Sequence, residues 1–216
     1  NQTVTCTVTP NDGTESGTAG SDAVTVVNTA PVVSAVSISP SSPTVSDPLI
    51  CTYSFADDDT DADASSVTWM VGSSTVGTGT TLAAGTVTKN QTVTCVVEAD
   101  DAEDTGNTDT ASTTIQNSAP TAPVVSISPS APVALSDDLV CSIDTASTDA
   151  DNDTITYTFM WEVDTVNWTG STSTTSQSGD TIAASDLTGN EEWTCIVTPY
   201  DGTDSGTAGE ASVTIV

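Results

Sequence analysis

A cysteine–tryptophan–cysteine triplet occurs twice in this chain, as Cys51–Trp69–Cys95 and as Cys141–Trp161–Cys195. No other feature constrains the fold as tightly, because every member sits in a stretch with apolar residues at alternate positions. Leu49, Cys51, Tyr53 and Phe55 have Thr52 and Ser54 between them. Val67, Trp69 and Val71 alternate likewise, as do Val93, Cys95 and Val97. In the second copy the run is Ile155, Tyr157, Phe159, Trp161 and Val163. A period of two over short stretches marks half-buried strands. Gly, Asn, Asp, Ser and Pro clusters punctuate them, and the dominant Thr and Val suit pleated sheet. No helical apolar period outlasts a turn, so the chain reads as all-β.

The triplets belong to a longer repeat. Residues 1–28, 90–117 and 190–216 align without gaps around NQTVTC, NQTVTC and NEEWTC. Asn stands five residues before Cys in each, as Asn1/Cys6, Asn90/Cys95 and Asn190/Cys195. The cysteine period is 89 residues and then 100, too long for a solenoid and suited to a string of small domains. The repeat starts also match, APVVSAVSISPSSP from Ala30 and APVVSISPSAP from Ala122. Boundaries are therefore expected in the short linkers Asn28–Pro31 and Asn117–Pro123. They give a partial copy at 1–28 and full copies at 29–118 and 119–216, about two and a quarter repeats.

Charge narrows the function classes. Thirty acidic residues face a single base, Lys89, for a net charge of −29. Such a surface repels nucleic acid and anionic membranes, and it favours cations, high salt or plain solubility. Strong negative charge with few aromatics is also a mark of disorder, but the regular apolar alternation argues against that here. No apolar run approaches the ~20 residues of a membrane span. Catalysis finds little foothold, since there is no His and no activated nucleophile. Carboxylate pairs of the kind glycosidases use are present, but they recur in loops from copy to copy, and an enzyme is not expected.

Three inward-facing residues on three strands, a Trp between two cysteines, resemble the core of the immunoglobulin-like superfamily in its bacterial and archaeal tandem-repeat form, the Ig-like or cadherin-like repeats of large surface proteins. The resemblance implies a β-sandwich with Cys51 on strand B, Trp69 on C and Cys95 on F, and Cys141, Trp161 and Cys195 likewise. It implies disulfides Cys51–Cys95 and Cys141–Cys195. Closing loops of this length contributes roughly 4 kcal/mol in the chain-entropy picture and places the chain in an oxidising compartment. Cys6 is left over and would pair within the rest of its own domain or with another subunit. The family's tyrosine two residues before the second Cys is replaced by Val93 and Trp193, so its corner hydrogen bond is missing.

Acidic runs mark one end of each expected sandwich. The B–C loop carries Asp57, Asp58, Asp59, Asp61 and Asp63 in one copy and Asp149, Asp151 and Asp153 in the next. Alternate carboxylates along an extended loop supply the oxygen ligands calcium prefers. The F–G turn adds Asp100, Asp101, Glu103 and Asp104, or Asp201 and Asp204, at the same end. The calcium ligands expected are Asp57, Asp59, Asp61, Asp100, Asp101, Asp149, Asp151, Asp153 and Asp201. Cadherin-like repeats hold calcium at such joints, where an ion would stiffen the linker. Solvated acidic turns are the plainer alternative, since Asp favours turns in any case.

Four Asn-x-Thr sequons occur, at Asn1, Asn90, Asn152 and Asn167, and the last three are candidate glycosylation sites. The last copy is longer between Trp161 and Ile182, and the extra stretch around Asp164–Ser178 carries Trp168, a candidate contact for sugar or a cap on the sandwich edge. The expected function is an extracellular or cell-surface stalk, spacer or filament segment, with flanking repeats or copies of itself as partners and glycans as possible decoration. The alternative is an adhesin or carbohydrate-binding module.

Overall fold

The computed structural model describes residues 2–170 and 179–216. They form sixteen strands and one short 3-10 turn, Ala184–Asp186, with no α-helix among the described residues. Two compact units result. The first comprises Asn1–Ser42, Pro48–Thr86 and Thr92–Thr114; the second comprises Pro43–Asp47, Val87–Gln91 and Ile115–Val216.

The first unit opens with a hairpin of β1 (Gln2–Val8) and β2 (Gly20–Val26). It continues with β3 (Val32–Ser39), β4 (Leu49–Ala56), β5 (Ser66–Val71), β6 (Ser74–Thr78), β7 (Thr81–Leu82), β8 (Thr92–Asp100) and β9 (Thr105–Thr114). Their order is β3-β4-β7 in one sheet and β6-β5-β8-β9 in the other. The first repeat start is three residues longer than the second, by Ala35, Val36 and Ser37, and the strand register shifts between Ser34 and Ser37, with Ala35 at φ 54°. One of the extra residues is absorbed there as a bulge.

The second unit repeats the plan. Its strands are β10 (Val124–Ser128), β11 (Leu139–Thr145), β12 (Thr156–Val163), β13 (Val166–Asn167), β14 (Gly179–Ile182), β15 (Glu192–Tyr200) and β16 (Gly209–Thr214). They form a β10-β11-β14 sheet and a β13-β12-β15-β16 sheet. Three antiparallel strands over four, cross-linked through the core, make each unit an immunoglobulin-like sandwich.

The triplets build both cores. Disulfides join Cys51 to Cys95 and Cys141 to Cys195, each with a Cα–Cα distance of 6.3 Å. Trp69 lies directly opposite Cys95 across the β5–β8 ladder, and Trp161 opposite Cys195 across β12–β15. Both indoles are essentially fully buried, so each N–H needs a partner. Trp69 Nε1 donates to the Gly79 carbonyl at 2.9 Å, and Trp161 Nε1 donates to the buried Asp180 carboxylate at 3.1 Å. Val93 and Trp193, in place of the tyrosine, point inward. Trp193 packs edge-on against Trp161, at 6.2 Å between ring centroids.

Candidate functional site

The acidic loops have the same local structure in both units, and the first aspartate organises it. Asp57 Oδ1 accepts the backbone N–H groups of Asp59 and Asp61 at 2.9 and 3.0 Å. Asp149 Oδ1 accepts those of Asp151 and Asp153 at 2.8 and 3.1 Å. The intervening residue turns left-handed in each case, Thr60 at φ 66° and Asn152 at φ 63°. The loop is thus wound around its first carboxylate instead of running extended. Winding brings one oxygen of each of Asp57, Asp59 and Asp61 to within 4.8 Å of the others, and the same holds for Asp149, Asp151 and Asp153.

Carboxylates this close repel one another. Each loop also buries oxygens that no donor reaches: Asp57 Oδ2 in the first unit, and Asp149 Oδ2, Asp151 Oδ1 and the neighbouring Ser118 Oγ in the second. A buried acceptor without a partner forfeits its hydration for nothing. Oxygen-rich, unsatisfied and negative, the clusters fit the donor set of a hard divalent cation such as calcium.

The Asn-Thr/Ser-Ala-Pro segments that open each full repeat are tied to these loops. Thr29 N–H donates to Asp59 Oδ2 at 2.6 Å, and Ser118 N–H to Asp151 Oδ2 at 2.6 Å. Asn28 Nδ2 donates to Asp101 and Asp104 at 2.8 and 3.1 Å. Asn117 Nδ2 donates to Asp201 and Asp204 at 2.8 and 2.9 Å. Asp101 and Asp201 use their other oxygen to hold the backbone N–H groups of residues two and three positions on, as Asp12 does in the first hairpin. The Asn28 amide and the turn N–H groups hold the Asp101 carboxyl below its usual range. Burial pushes Asp201 up, but Asn117, the turn N–H groups and Lys89 outweigh it and the net shift is downward.

Asp100, Asp101 and Asp201, read from sequence as ligands, therefore sit in the adjoining turn with their oxygens already engaged. Asp100 accepts Ala102 N–H at 2.8 Å. Asp63 takes the Tyr53 hydroxyl at 3.0 Å. Lys89, in the Val87–Gln91 segment of the second unit, donates to Asp153 and, at 2.9 Å, to Asn117 Oδ1. Sequence reasoning missed Asn28, Asn117 and the position of Lys89. The asparagines had a signal, since Asn precedes Thr/Ser-Ala-Pro at the head of both full repeats.

Cys6 is a free, exposed thiol. Its whole hairpin is exposed, including Val4, Val8, Val24 and Val26, whereas the matching Val93, Cys95 and Val97 are completely buried. Trp168 is half-buried, with its ring 5.4 Å from that of Trp193, so it caps the sandwich edge. Residues 171–178 of the longer stretch lie outside the described residues. Asn90, Asn152 and Asn167 are exposed; Asn1 lies outside the described residues.

No family model and no curated protein matches this chain. Among solved structures, three N-terminal domains of the bacteriophage RB49 highly immunogenic outer capsid protein align with 12% identity over 100% of this chain and 89% of that one, at a TM-score of 0.38. A two-domain fibronectin type III segment of chicken tenascin aligns with 10% identity over 84% of this chain and 98% of its own, at 0.43. Domains A168–A170 of titin align with 12% identity over 98% and 75%, at 0.38. The strand order and the cystine-tied core, not these likenesses, define the fold. The chain is a tandem array of immunoglobulin-like sandwiches.

Proposed function

We propose that this chain is a segment of an extracellular structural protein, a stalk, spacer or filament, and that it works mechanically rather than catalytically. Residues 29–118 and 119–216 are its two complete sandwiches, and residues 1–28 are the closing hairpin of a further one. The observation that supports this most is the bracket built twice from the same parts: an Asn and a backbone N–H of the opening segment, held by the acidic loop and turn. A bracket repeated with the repeat serves how modules are strung together. A binding surface would concentrate its differences in one copy. Trp168, the residue that favoured a carbohydrate-binding module, spends its ring on Trp193. The disulfides suit an oxidising, extracellular location, where Asn90, Asn152 and Asn167 are accessible to glycosylation. Electron microscopy of the native assembly tests the spacer: rods or filaments with an axial repeat are expected, and compact particles would count against it.

Calcium belongs to the same proposal. Bound between Asp57, Asp59 and Asp61, or between Asp149, Asp151 and Asp153, it would neutralise the repulsion, supply the buried oxygens with a partner and lock the loop that holds the bracket. An ion at a hundredfold excess over its Kd stabilises by about 2.7 kcal/mol. Calorimetric melting with calcium titrated at constant ionic strength should therefore rise by several degrees, and Asp57→Asn with Asp149→Asn should remove the rise. An unchanged melting temperature at millimolar calcium sinks the calcium component and leaves the spacer standing.

A further inference from the structure

The second cluster contains a cation already. Lys89 is the only basic side chain among 216 residues, and its ammonium is docked on Asp153 and on Asn117 Oδ1, with Asp151 and Asp201 close enough to act on it electrostatically. In the same loop and the segment bonded to it, Asp149 Oδ2, Asp151 Oδ1 and Ser118 Oγ are buried without a hydrogen-bond partner. The ammonium thus serves Asp153 and leaves buried oxygens of Asp149 and Asp151 without a partner. It carries one charge where a divalent ion would carry two, and its three N–H donors cannot reach the six to eight oxygens that calcium gathers. The aligned position in the last repeat is Gly189, so the lysine is particular to this position and not a fixture of the repeat.

We propose that Lys89 is a tethered competitor that sets the divalent-cation affinity of the Asp149–Asp151–Asp153 site: the ammonium and the ion claim the Asp153 carboxylate, and binding the ion expels the lysine. The inference rests on the calcium assignment above and adds a regulator to it. Lysine docking neutralises the acidic loop and ties it to the opening segment through Asn117 when divalent ion is scarce. When the ion enters, Asn117 Oδ1 and Lys89 are released while the Asn117 amide stays on Asp201 and Asp204. The exchange therefore replaces a weak monovalent clasp with a divalent one at the same end of the unit.

The test uses the whole chain with the first cluster silenced by Asp57→Asn and Asp59→Asn, so that calorimetric calcium titration reports the second site alone. Lys89→Met on this background should bind calcium about tenfold tighter or more, the effect expected from removing one positive charge a few ångströms from the ion. Lys89→Arg, which keeps the charge, should stay near the parent. A second readout needs no variant at the lysine. Protein labelled with isotopic lysine has a single lysine side-chain resonance, and calcium should shift it toward the position of a free, solvated lysine. If Lys89→Met binds no tighter than its parent, or the resonance stays fixed while calcium binds, the lysine is no competitor although the calcium assignment survives. If neither protein binds calcium at millimolar concentration, the calcium assignment fails and the inference falls with it.

Discussion

Gly106 and Gly206 show how much a single hydrogen atom can decide. A Cβ added to Gly106 would lie 1.8 Å from the Pro31 carbonyl oxygen, and one added to Gly206 would lie 2.1 Å from that of Pro120. The obstruction is backbone, so no rotamer change relieves it; the opening segment itself must move. That segment carries Asn28 or Asn117, whose amide is bonded to the turn beside the glycine. Gly106→Ala should therefore destabilise the first unit by about 1–3 kcal/mol and lengthen the Asn28 bonds. Gly206→Ala should do the same to the second unit and to Asn117. Chemical denaturation checks the energy. Equal stability of parent and variant would mean that the segment yields freely, and the bracket would then be far softer than its geometry implies.

The turn between β8 and β9, and its counterpart between β15 and β16, put the same logic on the scale of an element. Asp101 and Asp201 each take two backbone N–H groups and one asparagine amide, all interactions with the charged form, and both carboxyls are held below their ordinary range. A depressed folded-state pKa contributes stability above the unfolded value near 3.9, and that stability is lost as pH falls through the folded value. In calcium-free buffer the melting temperature should therefore fall steeply on the acid side of pH 4. Asp101→Asn with Asp201→Asn should be less stable at pH 7 and flatten the slope; an unchanged slope assigns acid sensitivity to other carboxylates. The turns were legible in sequence because their signals are local: Asp with Gly or Ala one place on, flanked by alternating apolar residues. The strands bearing the triplets were legible for the same reason. The bracket was not, because Asn28 and Asp101 are 73 residues apart and neither residue type advertises the other. The left-handed turns at Thr60 and Asn152 were hidden too, since Thr rarely adopts that conformation and only the Asp57 carboxylate, pulling two N–H groups onto one oxygen, makes it necessary there.

For the whole molecule the cystines matter most, because the proposed spacer role would be judged by how much length the chain yields under load. Each bond joins the two sheets of its sandwich and encloses most of the strands between them, 44 residues from Cys51 to Cys95 and 54 from Cys141 to Cys195. An unfolded but oxidised unit cannot pay out the enclosed chain. At about 3.3–3.6 Å per extended residue, the closed loops withhold roughly 150 Å in the first sandwich and roughly 180 Å in the second. Single-molecule pulling on oxidised protein should give two short unfolding steps, and reduction should lengthen each by about those amounts. Reduction should also lower the unfolding force, since the loop-closure contribution of roughly 4 kcal/mol per bond disappears. The second increment should exceed the first, because its loop is ten residues longer. Steps of equal length before and after reduction would show that the cystines do not lie in the loaded path. The disulfides would then stabilise the sandwiches at rest, and the mechanical part of the proposal would have to rest on the brackets alone.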